Sequence, residues 1–117
     1  METPLQVELH DVKSSDYVHE LIESNLAKVE KRFGRATACR VVVQAPNAHH
    51  KSGEPFGVTI RMALPAKREI HVDKSSDERG ADMTFAINDA FKRALRQLET
   101  EADQMQGRVK YHATGEA

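Results

Sequence analysis

The chain has a single cysteine, Cys39, so no internal disulfide can staple it. Cys39 falls in an apolar, β-branched stretch, where a reduced, buried thiol is expected. A reducing, cytoplasmic setting follows. No apolar run approaches the ~20 residues that span a bilayer. Residues 1–10 lack the basic-then-apolar order of a secretory signal. No membrane association is expected. Positive charge is also scarce, with 17 Lys and Arg against 18 Asp and Glu. Nucleic-acid binders are usually basic overall. A polyanionic partner would therefore require cations gathered in one place and offset elsewhere.

What is present suits one globular domain. The 117 residues are 39% hydrophobic and 30% charged, enough for one core without staples. Leu5, Val7 and Leu9 alternate with polar residues, predicting a half-buried strand. From Asp16 the period changes. Val18, Leu21, Ile22, Leu26, Val29 and Phe33 recur at three- and four-residue steps, predicting an amphipathic helix. Ser15 is its expected N-cap and Gly34 its expected C-cap.

The Val41, Val42, Val43 run predicts a strand over 37–45. Phe56, Val58, Ile60, Met62 and Leu64 alternate as a third strand, broken at Pro65. Ile70 and Val72 mark a fourth. Residues 46–55 and 73–80 read as polar loops. Met83, Ile87, Ala90, Phe91, Ala94, Leu95, Leu98 and Ala102 share one face of a second helix, predicted from Ala81 to about Met105 and ended by Gly107.

The order is thus β-α-β-β-β-α, an α+β single domain. Short loops make the three later strands antiparallel neighbours. Packing both helices on the one apolar sheet face buries every stripe at once. Residues 1–106 make up this domain, and 107–117 are expected to be a flexible tail.

Catalysis is not expected. No nucleophile elbow, glycine-rich phosphate loop or paired cysteines occur, and no acid–base constellation emerges. Among the histidines, His49 and His50 are adjacent, His10 and His71 fall on strands, and His19 on a helix. None has metal-ligand spacing, so neither metal nor cofactor is expected.

Cations gather at two places. Lys28, Lys31, Arg32 and Arg35 crowd the end of the first helix. Lys92, Arg93 and Arg96 lie on the second. With both helices on one side of the sheet, these clusters can join into one surface that attracts phosphates. The plainer reading is a solvated face with intrahelical pairs, such as Glu30 with Lys28 and Lys31. Phe33, Phe56 and Phe91 fall on core positions, leaving no exposed aromatic pair for base stacking. Any RNA would be read by shape and backbone.

These helices carry a resemblance. The string DMTFAINDA at 82–90 resembles the D-M/P-x-x-A-I-D signature of ribosome hibernation-promoting factors and ribosome-associated inhibitor A. RQL at 96–98 matches that family's R-Q-L. LAKVEKRF at 26–33 is similar to its L-x-K-L-E-K-y-F, followed by Arg35 and the valine strand. The likeness runs from Leu5 to about Leu98.

It implies a double-stranded-RNA-binding-like fold. It also implies a factor that occupies the messenger and transfer RNA channel of the small ribosomal subunit and holds translation idle under stress. Contacts to ribosomal RNA would come from basic side chains of the two helices. Lys28, Arg35, Arg93 and Arg96 stand at basic family positions, with Lys31, Arg32 and Lys92 added from the charge pattern.

Long members add a C-terminal domain that pairs ribosomes, and this chain is expected to be a short form without it. Where the family continues with lysines, residues 99–103 read ETEAD. That run is expected to reverse the field over the second half of the helix. Four to six phosphate contacts would give a log-log salt slope of roughly −3 to −5. The acidic run and near-neutral charge suit a second reading, a regulatory adaptor that binds protein on the same fold.

Overall fold

A computed structural model describes residues 3–46, 56–73 and 82–114, with side chains of the last helix as far as Asp103. The loop histidines His49 and His50, and most of the polar loop before the second helix, lie outside the described residues.

The elements are β1 (Leu5–His10), α1 (Asp16–Arg32), β2 (Ala38–Gln44), β3 (Gly57–Leu64), a 3₁₀ turn (Pro65–Lys67), β4 (Arg68–Val72) and α2 (Met83–Thr114). They form an α+β domain with one four-stranded sheet in the order β1-β2-β3-β4. β1 runs parallel to β2, which requires the α1 crossover, while β3 and β4 follow antiparallel.

Register explains why one face is greasy. Leu5, Val7 and Leu9 stand opposite Cys39, Val41 and Val43, which stand opposite Met62, Ile60 and Val58. Ile60 and Met62 in turn face Val72 and Ile70. The side-chain period of two places all of them on one face. Val18, Ile22, Leu26, Val29 and Phe33 of the α1 stripe, and Ala86, Ile87, Ala90, Phe91, Ala94 and Leu98 of α2, complete the same buried cluster. The opposite face carries Gln6, Glu8, Arg40, Gln44, Thr59, Arg61, Glu69 and His71. It is the watery side usual for a sheet covered on one face. There Arg40 and His10 hydrogen-bond the Glu8 carboxylate and hold it below its ordinary value, Arg40 most of all.

The helix ends are set locally. Ser15 Oγ accepts from the Val18 amide at 3.3 Å, the N-cap that the sequence predicts. Gly34 does not act as the expected left-handed cap. Phe33 instead turns extended (φ −147°, ψ 89°), and its amide bonds Val29 O at 2.7 Å. A Cβ at 34 would crowd the Glu30 carbonyl oxygen at 3.2 Å, which favours glycine there.

At α2 the first residue is Met83, not Ala81. Asp82 is its cap, with Oδ1 accepting from the Thr84 amide at 2.9 Å. Its far end passes Gly107 and reaches Thr114. One glycine costs a helix only about 1 kcal/mol, which is not enough to stop it.

Cys39 is buried in the core, and burial pushes its thiol up from 9.0 to about 12. The folded state therefore keeps the proton while the unfolded chain gives it up. This stabilising contribution is full below pH 9 and is lost as pH climbs towards 12. Native protein should react slowly with a thiol reagent at pH 8 and fully once unfolded. A Cys39→Ser variant should lose the decline in stability that this thiol causes above pH 9. Fast stoichiometric labelling of native protein would contradict a buried thiol.

Candidate RNA interface

The two helices lie side by side and point the same way. Three cross-links fix this. Tyr17 Oη bonds Thr84 Oγ1 at 2.6 Å, Asn25 Nδ2 donates to Asn88 Oδ1 at 2.8 Å, and Arg32 donates to Glu99 at 2.5 Å. Residue numbers rise together on both helices, so the axes are parallel. The contacts are polar because they lie on the outer rim of the seam, above the buried stripes.

Helical rows then locate the cations. Lys28 is three residues past Asn25 and four before Arg32, so it follows the α1 side of the seam. Lys92 is four past Asn88 and seven before Glu99, and follows the α2 side. Lys31 and Arg96 stand further out on the same two helices, and Arg35 lies in the turn after α1. Lys28, Lys31, Arg35, Lys92 and Arg96 are all exposed. None has an ion pair among the described residues.

The other two candidates are engaged. Arg93, with 29% of its side chain exposed, bonds Asp89 at 3.1 Å and donates to the Asp73 carbonyl at 2.9 Å. Gln97, one turn further, donates to His71 O at 3.2 Å. This flank of α2 faces β4, away from α1, so Arg93 ties the helix to the sheet edge. Arg32 is held by Glu99. Glu30, expected beside Lys28 and Lys31, accepts from the Thr3 amide at 2.8 Å.

Two carboxylates of the acidic run have cationic partners in the same domain. Glu99 is taken by Arg32. Glu101 is taken by Arg68 at 2.6 Å, half-buried between β4 and α2. These pairs form across chain separations of 67 and 33 residues, which no local pattern reveals. Tyr17 also escaped the sequence reading. It stands beside Val18 yet off the apolar stripe, and a helical projection would have placed it outside.

The Arg32–Glu99 pair makes a test of opposite sign to most. Glu99→Gln should free the Arg32 guanidinium for a phosphate. The salt slope for RNA should steepen by about 0.7–0.9, and affinity near 0.1 M salt should rise about 5- to 8-fold. Stability should change by no more than about 1 kcal/mol, as for an exposed pair. Unchanged binding would mean that Arg32 lies off the interface.

Among the described residues no group of three His, Cys, Asp or Glu side chains converges as a metal site would require. No helix there is long and apolar enough to cross a membrane.

A mixed four-stranded sheet under two parallel helices, with exposed cations that have no ion pair among the described residues, defines a small α+β domain. The family model described as sigma 54 modulation protein / S30EA ribosomal protein matches residues 5–106. The chain belongs to that family, whose members are factors and not enzymes. Among solved structures, a ribosomal subunit interface protein from Coxiella burnetii is similar at TM-score 0.69 and 17% identity, covering 86% of this chain and 98% of that one. The N-terminal domain of Thermus thermophilus Protein Y is similar at TM-score 0.63 and 20% identity, with the same coverages of 86% and 98%. No curated protein matches significantly.

Proposed function

We propose that this protein binds the small ribosomal subunit in the channel for messenger and transfer RNA, through the outer face of its two helices, and holds the subunit idle in the cytoplasm. Ribosomal RNA is its partner, and Lys28, Lys31, Arg35, Lys92 and Arg96 supply the principal phosphate contacts. Arg32 and Arg93 serve mainly as internal ties. Family membership supports a ribosomal role, as does the likeness to a ribosomal subunit interface protein.

The observation that carries the reading is a division among the cations. Among the helical cations with described side chains, Arg32 and Arg93 have carboxylate partners, whereas Lys28, Lys31, Lys92 and Arg96 have no ion pair among the described residues. Unpaired cations in rows on adjacent helices suit a polyanion, because each phosphate they meet releases a counterion. The adaptor reading drew on the acidic run, and Arg32 and Arg68 now account for two of its carboxylates.

Cosedimentation with small subunits across a salt series tests the proposal. Five contacts should give a slope of about −3.5 to −4.5, with binding strong at low salt. Protein remaining at the top of the gradient at low salt would overturn it.

A further inference from the structure

Tyr17 is the exposed large apolar side chain among the described residues, 53% accessible on the first turn of α1. Single surface aromatics are common and need no explanation. This one is held in place. Its hydroxyl bonds Thr84 Oγ1 at 2.6 Å, so the ring is fixed across the seam before anything binds. A ring already ordered gives up less entropy on contact with a ligand.

Its position connects it to the basic layer. Ser24 and Lys28 follow Tyr17 by seven and eleven residues, close to two and three helical turns, so all three share one outward row. The ring lies about 16 Å along the axis from Lys28. That is about five phosphate spacings of a stacked strand.

The charges around the ring indicate which part of a nucleotide fits. Asp16, Glu20 and Glu23 are exposed on the same half of α1, and Asp82 is exposed at the start of α2. These carboxylates repel phosphate. An aromatic face in acidic surroundings excludes phosphate, and its place on the same row as Lys28 leaves it to the uncharged base of a strand held there.

We propose that Tyr17 is a stacking site for an unpaired nucleobase at the end of the RNA tract whose phosphates engage Lys28 and Lys92. The inference rests on the RNA-binding reading above. It adds a base contact to an interface that the sequence assigned to backbone alone. The base turns out from its strand onto the ring, and the phosphates stay towards the cations.

The test uses full-length protein, purified small subunits, and two short RNAs of equal charge, one single-stranded and one a blunt duplex. Tyr17→Ala should weaken binding to subunits and to the single strand about 5- to 150-fold. Its salt slope should match wild type, because stacking releases no counterions. Duplex affinity should hardly change. Tyr17→Phe, which keeps the ring and loses only its tether to Thr84, should fall between wild type and alanine, while Tyr17→Leu, apolar but not aromatic, should behave like alanine.

The chain has no tryptophan and two tyrosines. In a Tyr111→Phe background, the single strand should therefore quench Tyr17 emission and the duplex should not. Thermal melts check that each variant folds.

The proposal falls if Tyr17→Ala binds subunits as wild type does, or if leucine substitutes fully, which would indicate a generic apolar contact such as a protein partner. It also falls if the alanine variant loses slope along with affinity. If wild-type protein binds neither subunits nor RNA at low salt, the RNA reading itself fails and this site goes with it.

Discussion

Reversing Lys28, Lys92 and Arg96 to glutamate together should lower affinity for small subunits at least about 100- to 500-fold at 0.1 M salt. The magnitude follows from counterion release. Each phosphate contact contributes a slope of about 0.7–0.9, or about 5- to 8-fold at that salt, and three are removed. The slope should fall from about −4 to about −2 or less, leaving Lys31 and Arg35. All three side chains are exposed and without ion pairs among the described residues, so the melt should move little. Binding isotherms at several salts measure both quantities. The control lies on the opposite face. Arg40→Glu with Arg61→Glu changes charge by four and should leave the slope unchanged. Equal losses from the two faces would mean that the helical layer has no special role.

Ile60→Ala should cost about 2–5 kcal/mol, a large part of the roughly 5–15 kcal/mol that holds a domain of this size together. Ile60 is fully buried at the middle of β3, directly opposite Val41 on one side and Val72 on the other. It therefore packs with neighbours on both flanking strands and under the helical layer. Truncation removes transfer energy and leaves a cavity that strands fixed on both sides cannot close. Thr59, one residue earlier, points to the watery face, and Thr59→Ala should cost within about 1 kcal/mol. Denaturant titrations of the pair measure the difference. Similar losses at 59 and 60 would contradict the alternation on which the sheet rests.

That alternation is why so much of the architecture was readable in advance. Strands with a period of two and helices with a period near 3.6 each have one apolar face, and only one layered arrangement buries all of them. Ser15 was legible for the same local reason, since a hydroxyl before a helical stripe has a nearby amide to cap. Gly34 was misjudged because its role comes from crowding against the Glu30 carbonyl, not from its own conformation. Gly107 was misjudged because a stop signal is weak when the residues on both sides can continue the helix.

The site was legible as a set of cations but not as a division of tasks. Which arginines are free depends on where α2 lies beside α1, and that alignment is a tertiary property. Glu99 meets Arg32 only because the helices run parallel at that offset. The Arg93–Asp89 pair, four residues apart, was within reach of the sequence, but the Asp73 carbonyl that completes its environment was not.

The parallel pairing of β1 with β2 bears on how the chain folds as it is made. β1 is synthesised first, yet its hydrogen-bonding partner appears only about thirty residues later, after the whole crossover. β2 has its own second neighbour in β3, and the apolar face of the sheet is not fully covered until α2 follows. β1 must therefore wait, without its strand partner, until the crossover and β2 have emerged. Such distant pairings delay ordering until late in assembly, so this domain should gain protease resistance in one step once α2 has emerged and not progressively.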